Sequence, residues 1–182
     1  MRVISGIRKG LKLKSPDGAN VRPTTDRVKE SVFNIIQPYL PADNVLDLFA
    51  GSGALGIEAL SRRSLNCVFV DSDRKSLLLV KDNLLLSGFS DTAEVVFSDS
   101  VGYLNKTTAQ FDIIFLDPPY NKGLLAPVLD IIYKRNLLTE SGIIVAETEK
   151  DGEAAEHFGF DEFRRALYGK TVITVLKRGV DR

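Results

Sequence analysis

Hydrophobic residues occur along this chain in short continuous runs that alternate with longer segments of helical periodicity. Five runs predict buried strands, at residues 45–49, 67–70, 95–97, 113–116 and 143–146. The segments between and before them predict helices at residues 26–40, 54–63, 74–86 and about 124–133. Strands that alternate with helices indicate right-handed crossovers and a mostly parallel sheet. Their continuous apolar character is typical of strands buried on both faces.

The two ends of the chain depart from this alternation. Residues 160–167 and 171–176 are joined only by Tyr168-Gly169-Lys170, which is too short for a crossover helix and predicts an antiparallel hairpin. Residues 1–14 alternate loosely around Gly6 and Gly10 and predict a short hairpin. We therefore predict a single α/β domain over residues 1–182, with a basic extension at 1–25 and a Rossmann-like core at 26–182.

Composition narrows the class of protein. Hydrophobic residues make up 44% and charged residues 26%, which excludes a disordered chain. No apolar run reaches the roughly 18 residues that cross a bilayer, and the first residues resemble no signal peptide. The single cysteine, Cys67, and the single histidine, His157, argue against disulfides and against a metal site. We expect a cytoplasmic protein without a metal.

Charge is unevenly distributed although the net charge is zero. Residues 1–30 hold eight basic and three acidic side chains, so the rest of the chain is acidic. A basic extension on an acidic body predicts a polyanionic partner that meets one edge of the protein. A solvated basic hairpin without a partner explains the same pattern.

A glycine-rich string, Gly51-Ser-Gly-Ala-Leu-Gly56, lies between a predicted strand and a predicted helix, and Asp71 follows at the end of the next strand. Taken alone, it predicts a dinucleotide site and an NAD-dependent oxidoreductase. Asp47, just before the loop, would repel a diphosphate but attract cationic S-adenosylmethionine. Asp71 would accept from the ribose hydroxyls and Asp99 from the adenine amine, although Asp99 could instead cap a helix that begins at Ser100. The candidate cofactor-binding residues are Asp47, Phe49, Ala50, Gly51, Ser52, Gly53, Asp71, Ser72, Asp99 and Ser100.

The fourth predicted strand ends in Asp117-Pro118-Pro119-Tyr120, our four candidate catalytic residues. Two prolines stiffen this turn and remove two backbone donors. Asp117 and the Pro118 carbonyl could accept the two N–H groups of a planar exocyclic amine while Tyr120 stacks on its ring. Such an amine is a weak nucleophile, so orienting it toward a methyl sulfonium would supply most of the acceleration. A rigid surface turn is the alternative explanation.

Three motifs together resemble one known family. They are Arg22-Pro-Thr-Thr-Asp-Arg-Val-Lys-Glu30, Phe49-Ala-Gly-Ser-Gly-Ala-Leu-Gly56 with Glu58-Ala-Leu-Ser-Arg62, and Asp117-Pro-Pro-Tyr120 with Gly123-Leu-Leu125. The combination resembles the bacterial methyltransferases that modify guanine N2 in 16S ribosomal RNA (the RsmD-like family). The resemblance implies a class I methyltransferase fold with seven strands, S-adenosylmethionine as donor, and 16S ribosomal RNA in the small ribosomal subunit as substrate. It also implies that residues 22–25 face the RNA beside the active site.

The candidate RNA-binding residues are Arg8, Lys9, Lys12, Arg22, Thr24, Thr25, Arg27 and Lys122. An adenine-N6 methyltransferase shares the Asp-Pro-Pro-Tyr turn, but an enzyme of that kind acting on DNA usually needs a further element to read the groove, for which this chain has little room. A binding protein that has kept the fold and lost catalysis is a third alternative.

Overall fold

Seven strands form one sheet in the computed structural model, which describes residues 1–15, 26–119, 123–150 and 158–179. The strand order is β3-β2-β1-β4-β5-β7-β6. Strands β1 to β5 are parallel, and β7 runs antiparallel to both β5 and β6. The prediction of a mostly parallel sheet with an antiparallel terminal hairpin is confirmed. The strands are β1 Asn44–Asp47, β2 Asn66–Asp71, β3 Ala93–Phe97, β4 Phe111–Leu116, β5 Leu138–Glu149, β6 Phe160–Tyr168 and β7 Thr171–Arg178.

Helices cover both faces of the sheet and produce two apolar cores. The helices are α1 Asp26–Ile35, α2 Ala54–Ser61, α3 Arg74–Ser87, α4 Ser100–Lys106 and α5 Leu125–Lys134. Helices α1, α2 and α3 pack on one face, while α4 and α5 pack on the other. Burial on both faces is the reason that the central strands are continuously apolar. No helix within the described ranges is long and apolar enough to cross a membrane.

Three elements differ from the sequence-based expectation. Helix α1 ends at Ile35 rather than at residue 40, because the residue before Pro38 is disfavoured in helical geometry, and a short 3₁₀ helix, Gln37–Tyr39, follows. Strand β5 extends to Glu149 because its pairing with β7 continues to that residue. Helix α4 was expected only as one interpretation of Asp99, and its seven residues are too few for a clear periodicity.

The N-terminal arm, residues 1–15, folds back on itself as predicted. Arg2 and Lys12 form an antiparallel bridge, and Val3 and Leu13 are buried in the same core as α1 to α3. Near the tip of the arm, the amide N–H of Ile7 donates to the carbonyl of Ser61, the last residue of α2. Helix α2 begins at the glycine loop, on the carboxyl edge of the sheet, and ends at the amino edge. The tip of the arm is therefore separated from the glycine loop by the length of this eight-residue helix, about 12 Å.

Two glycines of the arm provide a matched test of this docking. Both have positive φ, +83° at Gly6 and +86° at Gly10, but a Cβ at Gly6 would lie 1.8 Å from the Ser61 carbonyl oxygen, whereas nothing lies within 4 Å at Gly10. We expect Gly6→Ala to detach the tip and accelerate amide exchange at Ile7 and Arg8. Gly10→Ala should cost only the backbone strain of about 1–2 kcal/mol. Equal exchange in the two variants would contradict the docking.

Candidate active site at the carboxyl edge of the sheet

The candidate residues meet where the order of the strands reverses. Strands β1 and β4 are neighbours, with Asp47 opposite Phe115, yet the chain moves away from β1 toward β2 and from β4 toward β5. A crevice opens at such a point beyond the carboxyl ends of the two strands, and ligands bind there in parallel α/β sheets. The glycine loop follows β1 and the Asp117 turn follows β4, so the two motifs lie side by side.

Each glycine of the loop has its own steric reason. Gly51 and Gly53 have positive φ, +54° and +77°, which glycine adopts without strain. A Cβ at Gly56 would lie 2.3 Å from the ring of Phe69 on β2. The first two glycines therefore shape the turn, and the third allows α2 to pack closely against the sheet.

Asp47 lies beneath the loop and is almost completely buried, with 2% of its surface exposed. Its carboxylate accepts the N–H of Gly56 at 3.0 Å, which holds the first turn of α2. Burial raises the pKa of Asp47 to about 7, against an ordinary value of 3.8, although the Gly56 hydrogen bond opposes that rise. Asp47 therefore has a structural role besides the attraction of a cation that the sequence suggested.

Asp71 and Asp99 continue the acidic row along the same edge. Asp71 ends β2 and accepts the N–H of Gly51 at 2.9 Å and that of Asp73 at 2.8 Å. Asp99 follows β3 and accepts the N–H of Gly102 at 2.7 Å, so it caps α4 as the alternative interpretation expected. Both side chains are on the surface of the crevice, and a contact between Asp99 and adenine stays a prediction.

The remaining cofactor candidates lie in the same part of the edge. The N–H of Ala50 donates to the Val70 carbonyl at 3.0 Å, and the Ser52 carbonyl accepts from the side chain of Asn83 at 2.9 Å. Phe49 is half-buried, Ser72 is exposed beyond β2, and Ser100 is buried at the start of α4. The structure brings these residues together, but their contact with a cofactor stays a prediction.

Two of the three glycine amides of the loop already donate to acidic side chains. The amide of Gly51 donates to Asp71, the amide of Gly53 to the Ala50 carbonyl, and the amide of Gly56 to Asp47. A diphosphate binds to free amides at a helix N-terminus. The Asp71 carboxylate in this position favours a cationic ligand over NAD, and a bound cation would favour the ionised form of Asp47.

The turn after β4 carries hydrogen-bond acceptors at the carboxyl edge of the sheet. Asp117 is half-buried, Pro118 is buried and Pro119 is exposed, and the two prolines carry no N–H group. Tyr120 and Lys122 lie outside the described residues. The described part of the turn therefore fits a ligand that donates N–H groups.

The RNA-binding candidates are divided between the two edges of the sheet. Arg27 is exposed at the start of α1, which lies at the carboxyl edge beside Arg2. Arg8 is at the arm tip near the amino edge, where its Nε donates to the Ser87 carbonyl and its guanidinium stacks on Phe89. Lys9 and Lys12 are exposed along the arm, and Arg22, Thr24 and Thr25 lie outside the described residues.

Sequence reasoning missed two buried polar residues that support the site. Asn83 accepts the N–H of Lys14 and donates to the carbonyls of Lys14 and Ser52, which ties the arm to the glycine loop. Lys29 is fully buried against Glu58. Each is a polar residue within the apolar face of its helix. A polar residue at a position that the helical period predicts to be buried is the sequence signal that could have identified both. Among the described residues, no group of three or more His, Cys, Asp and Glu side chains could hold a metal ion.

This sheet, with an acidic edge beside a glycine loop and an antiparallel last strand, defines the class I methyltransferases. More narrowly, the chain belongs to the family described as Conserved hypothetical protein 95, whose model matches residues 1–177.

The similar proteins of known name are methyltransferases. The chain is 45% identical over 182 residues to the Bacillus subtilis protein named "Putative rRNA methyltransferase YlbH", covering 98% of this chain and 99% of that one. It is 40% identical over 154 residues to Ribosomal RNA small subunit methyltransferase D of Haemophilus influenzae, covering 83% of this chain and 80% of that one. The solved structure of "Putative methyltransferase yhhF" from Escherichia coli has a TM-score of 0.87 and 33% identity, covering 100% of this chain and 99% of that one.

The burial of Asp47 predicts a dependence of stability on pH. Below its ordinary pKa of 3.8 the carboxyl is protonated in the folded and unfolded chains, and between 3.8 and about 7 only the folded chain holds the proton. The contribution of Asp47 to stability is thus lost as pH rises through this window and stays lost above it. Asp47→Asn removes the ionisation and should unfold at a higher temperature than the wild type at pH 8. The full shift corresponds to about 4 kcal/mol as an upper bound.

Thermal denaturation of the two proteins at pH 4 and pH 8 checks this prediction. The difference between them should nearly vanish at pH 4. The exposed Asp91, changed to Asn, serves as the control and should behave as the wild type at both values of pH. A variant that is less stable than the wild type at pH 8 would contradict the assignment.

Proposed function

We propose that this protein transfers a methyl group from S-adenosylmethionine to the exocyclic N2 amine of a guanine in 16S ribosomal RNA of the small subunit. Membership of the family and the names of its relatives support RNA methylation. The observation that carries the proposal is the position of the Asp117 turn beside the glycine loop at the strand reversal.

The residues present fit S-adenosylmethionine. Asp47 lies buried under the loop, Asp71 is at the end of β2, and the amides of Gly51 and Gly56 already bond to these two side chains. In this proposal Asp71 accepts from the ribose hydroxyls, the loop contacts the methionine portion, and the positive charge of the donor favours the ionised form of Asp47. When bound, the cofactor supplies an electrophilic methyl group on a cationic sulfur.

The Asp117 turn orients the nucleophile. The Asp117 carboxylate and the Pro118 carbonyl each accept one N–H of the guanine amine, which aims the nitrogen lone pair at the methyl carbon. The bound cofactor would supply the methyl group and keep the electron pair of the bond that breaks, and Asp117 or water would accept the proton that the amine gives up. Tyr120 is proposed to stack on the guanine. Most of the acceleration comes from positioning, with late proton acceptance as a smaller contribution.

RNA is proposed to approach along the arm and the start of α1. Arg27 at the carboxyl edge and Lys12, Lys9 and Arg8 along the arm would contact successive phosphates. Arg22, Thr24, Thr25 and Lys122 are proposed to contact the RNA as well. Such contacts recognise the shape of a folded RNA more than its sequence, so they suit a structured ribosomal substrate.

Transfer of a labelled methyl group tests the substrate directly. Small-subunit particles and free 16S RNA from cells that lack this gene should both be offered with tritiated S-adenosylmethionine, followed by mass spectrometry of the nucleosides. We expect N2-methylguanosine. N6-methyladenosine would instead support the adenine alternative, and binding of NAD without binding of S-adenosylmethionine in calorimetry would overturn the proposal.

The role of Asp117 predicts a separation of catalysis from cofactor binding. Asp117→Ala should lower kcat by about a hundredfold or more because the amine loses an orienting acceptor. The Kd for S-adenosylmethionine should stay within about twofold of the wild type, since the turn contacts the amine and not the donor. Asp91→Ala, on the exposed 3₁₀ segment Ser90–Thr92, is the control and should change neither quantity. A parallel loss of cofactor binding in Asp117→Ala would place the turn in the cofactor pocket.

A further inference from the structure

Glu58 is a fully buried carboxylate on α2 that lies outside the site described above. One of its oxygens accepts the N–H of Ile4 at 2.8 Å and lies 3.1 Å from Nζ of Lys29. The other accepts the N–H of Ser5 at 2.9 Å and Nε of Arg62 at 3.0 Å. A single side chain thus receives two arm amides, an ammonium and a guanidinium.

Lys29 extends the network to α1. It is also fully buried, and its Nζ donates to the carbonyl of Arg2 as well as contacting Glu58. Burial lowers the pKa of Lys29, although the neighbouring Glu58 acts in the opposite direction. Two charges without access to water are tolerated only when they are paired and hydrogen-bonded. Replacing a buried ion pair by an apolar pair of similar volume is often neutral or stabilising, so this network is weak evidence for stability.

The network joins three segments that the sequence separates. Glu58 is on α2, Lys29 is on α1, and the main chain of Arg2, Ile4 and Ser5 belongs to the arm. Arg2 in turn donates its N–H to Asp26 at the start of α1 and forms an ion pair with it. Glu58 is therefore one of the attachments that fix the arm, together with Ser61 at its tip and Asn83 at Lys14.

We propose that Glu58 is a positioning residue for RNA: with Lys29 it holds the N-terminal arm and the start of α1 in one fixed arrangement, so that their cationic side chains match the phosphates of the substrate. This rests on the proposed function. Glu58 contacts neither the glycine loop nor the Asp117 turn in the hydrogen bonds of the described residues, so it acts on RNA affinity and not on the donor.

Glu58→Gln is the direct variant. It keeps one acceptor but leaves Lys29 buried without a counter-charge, and it could unfold the protein. The double variant Glu58→Met with Lys29→Met removes both charges at similar volume, a change that a packed core commonly tolerates. In it the amides of Ile4 and Ser5 lose their acceptor, and so does Nε of Arg62, which keeps its bond to Gln37 and its place over the Phe33 ring. Asp130→Asn, which breaks the exposed Asp130–Lys134 pair on the opposite face, is the matched control.

Three measurements on the full chain test the proposal: amide exchange at Ile4 and Ser5, the KM for small-subunit RNA, and the Kd for S-adenosylmethionine. In the double variant we expect rapid exchange of both amides and a KM for RNA raised about tenfold, with a weaker dependence on salt. The Kd for the donor should stay within about twofold, as should all three quantities in Asp130→Asn.

Two results would overturn the proposal. One is an unchanged KM for RNA in a double variant whose arm amides exchange freely. The other is a loss of donor binding equal to the loss of RNA affinity, which would indicate a general structural role. A wild-type protein that methylates no small-subunit RNA would instead refute the proposed function, while the exchange measurement would still report whether Glu58 docks the arm.

Discussion

The pairing of β1 with β4 is the constraint on which the candidate site depends. These strands are far apart in sequence, but hydrogen bonding between them sets the loop after Asp47 beside the turn after Leu116. Because the chain leaves the two strands in opposite directions, a crevice opens between their carboxyl ends. The cofactor candidates and the base-binding candidates therefore lie at the same crevice, although the two motifs are about 60 residues apart in the sequence.

The structure around this crevice relies on buried polar groups that are each satisfied. Asp47 holds the first turn of α2, Asn83 joins the arm to the glycine loop, and Glu58 joins the arm to α1. Among the described residues, no buried side-chain nitrogen or oxygen lacks a partner. Buried polar networks of this kind specify one arrangement because any other leaves desolvated groups without partners. The crevice thus combines a rigid apolar sheet with a small number of polar attachments that orient the segments around it.

Much of the fold was predictable because its signals are local. Continuous apolar runs indicated the parallel strands, and the three-residue connection at Gly169 excluded a crossover before the last strand. The errors were also local: Pro38 ends α1 early, and the seven residues of α4 are too short to show a period. The acidic row and the turn at Asp117 could be placed together because parallel strands end at the same edge of a sheet.

By itself, the sequence determined the order of strands and helices, the glycine loop, the acidic strand ends and the proline-stiffened turn, since each depends on residues within a few positions of one another. Only the tertiary structure decided which basic residues of the arm lie near the crevice and which lie at the opposite edge. It alone also assigned Glu58, Lys29 and Asn83 their partners. Those contacts join segments tens of residues apart, and a buried polar residue chooses its partner by geometry that no local pattern encodes.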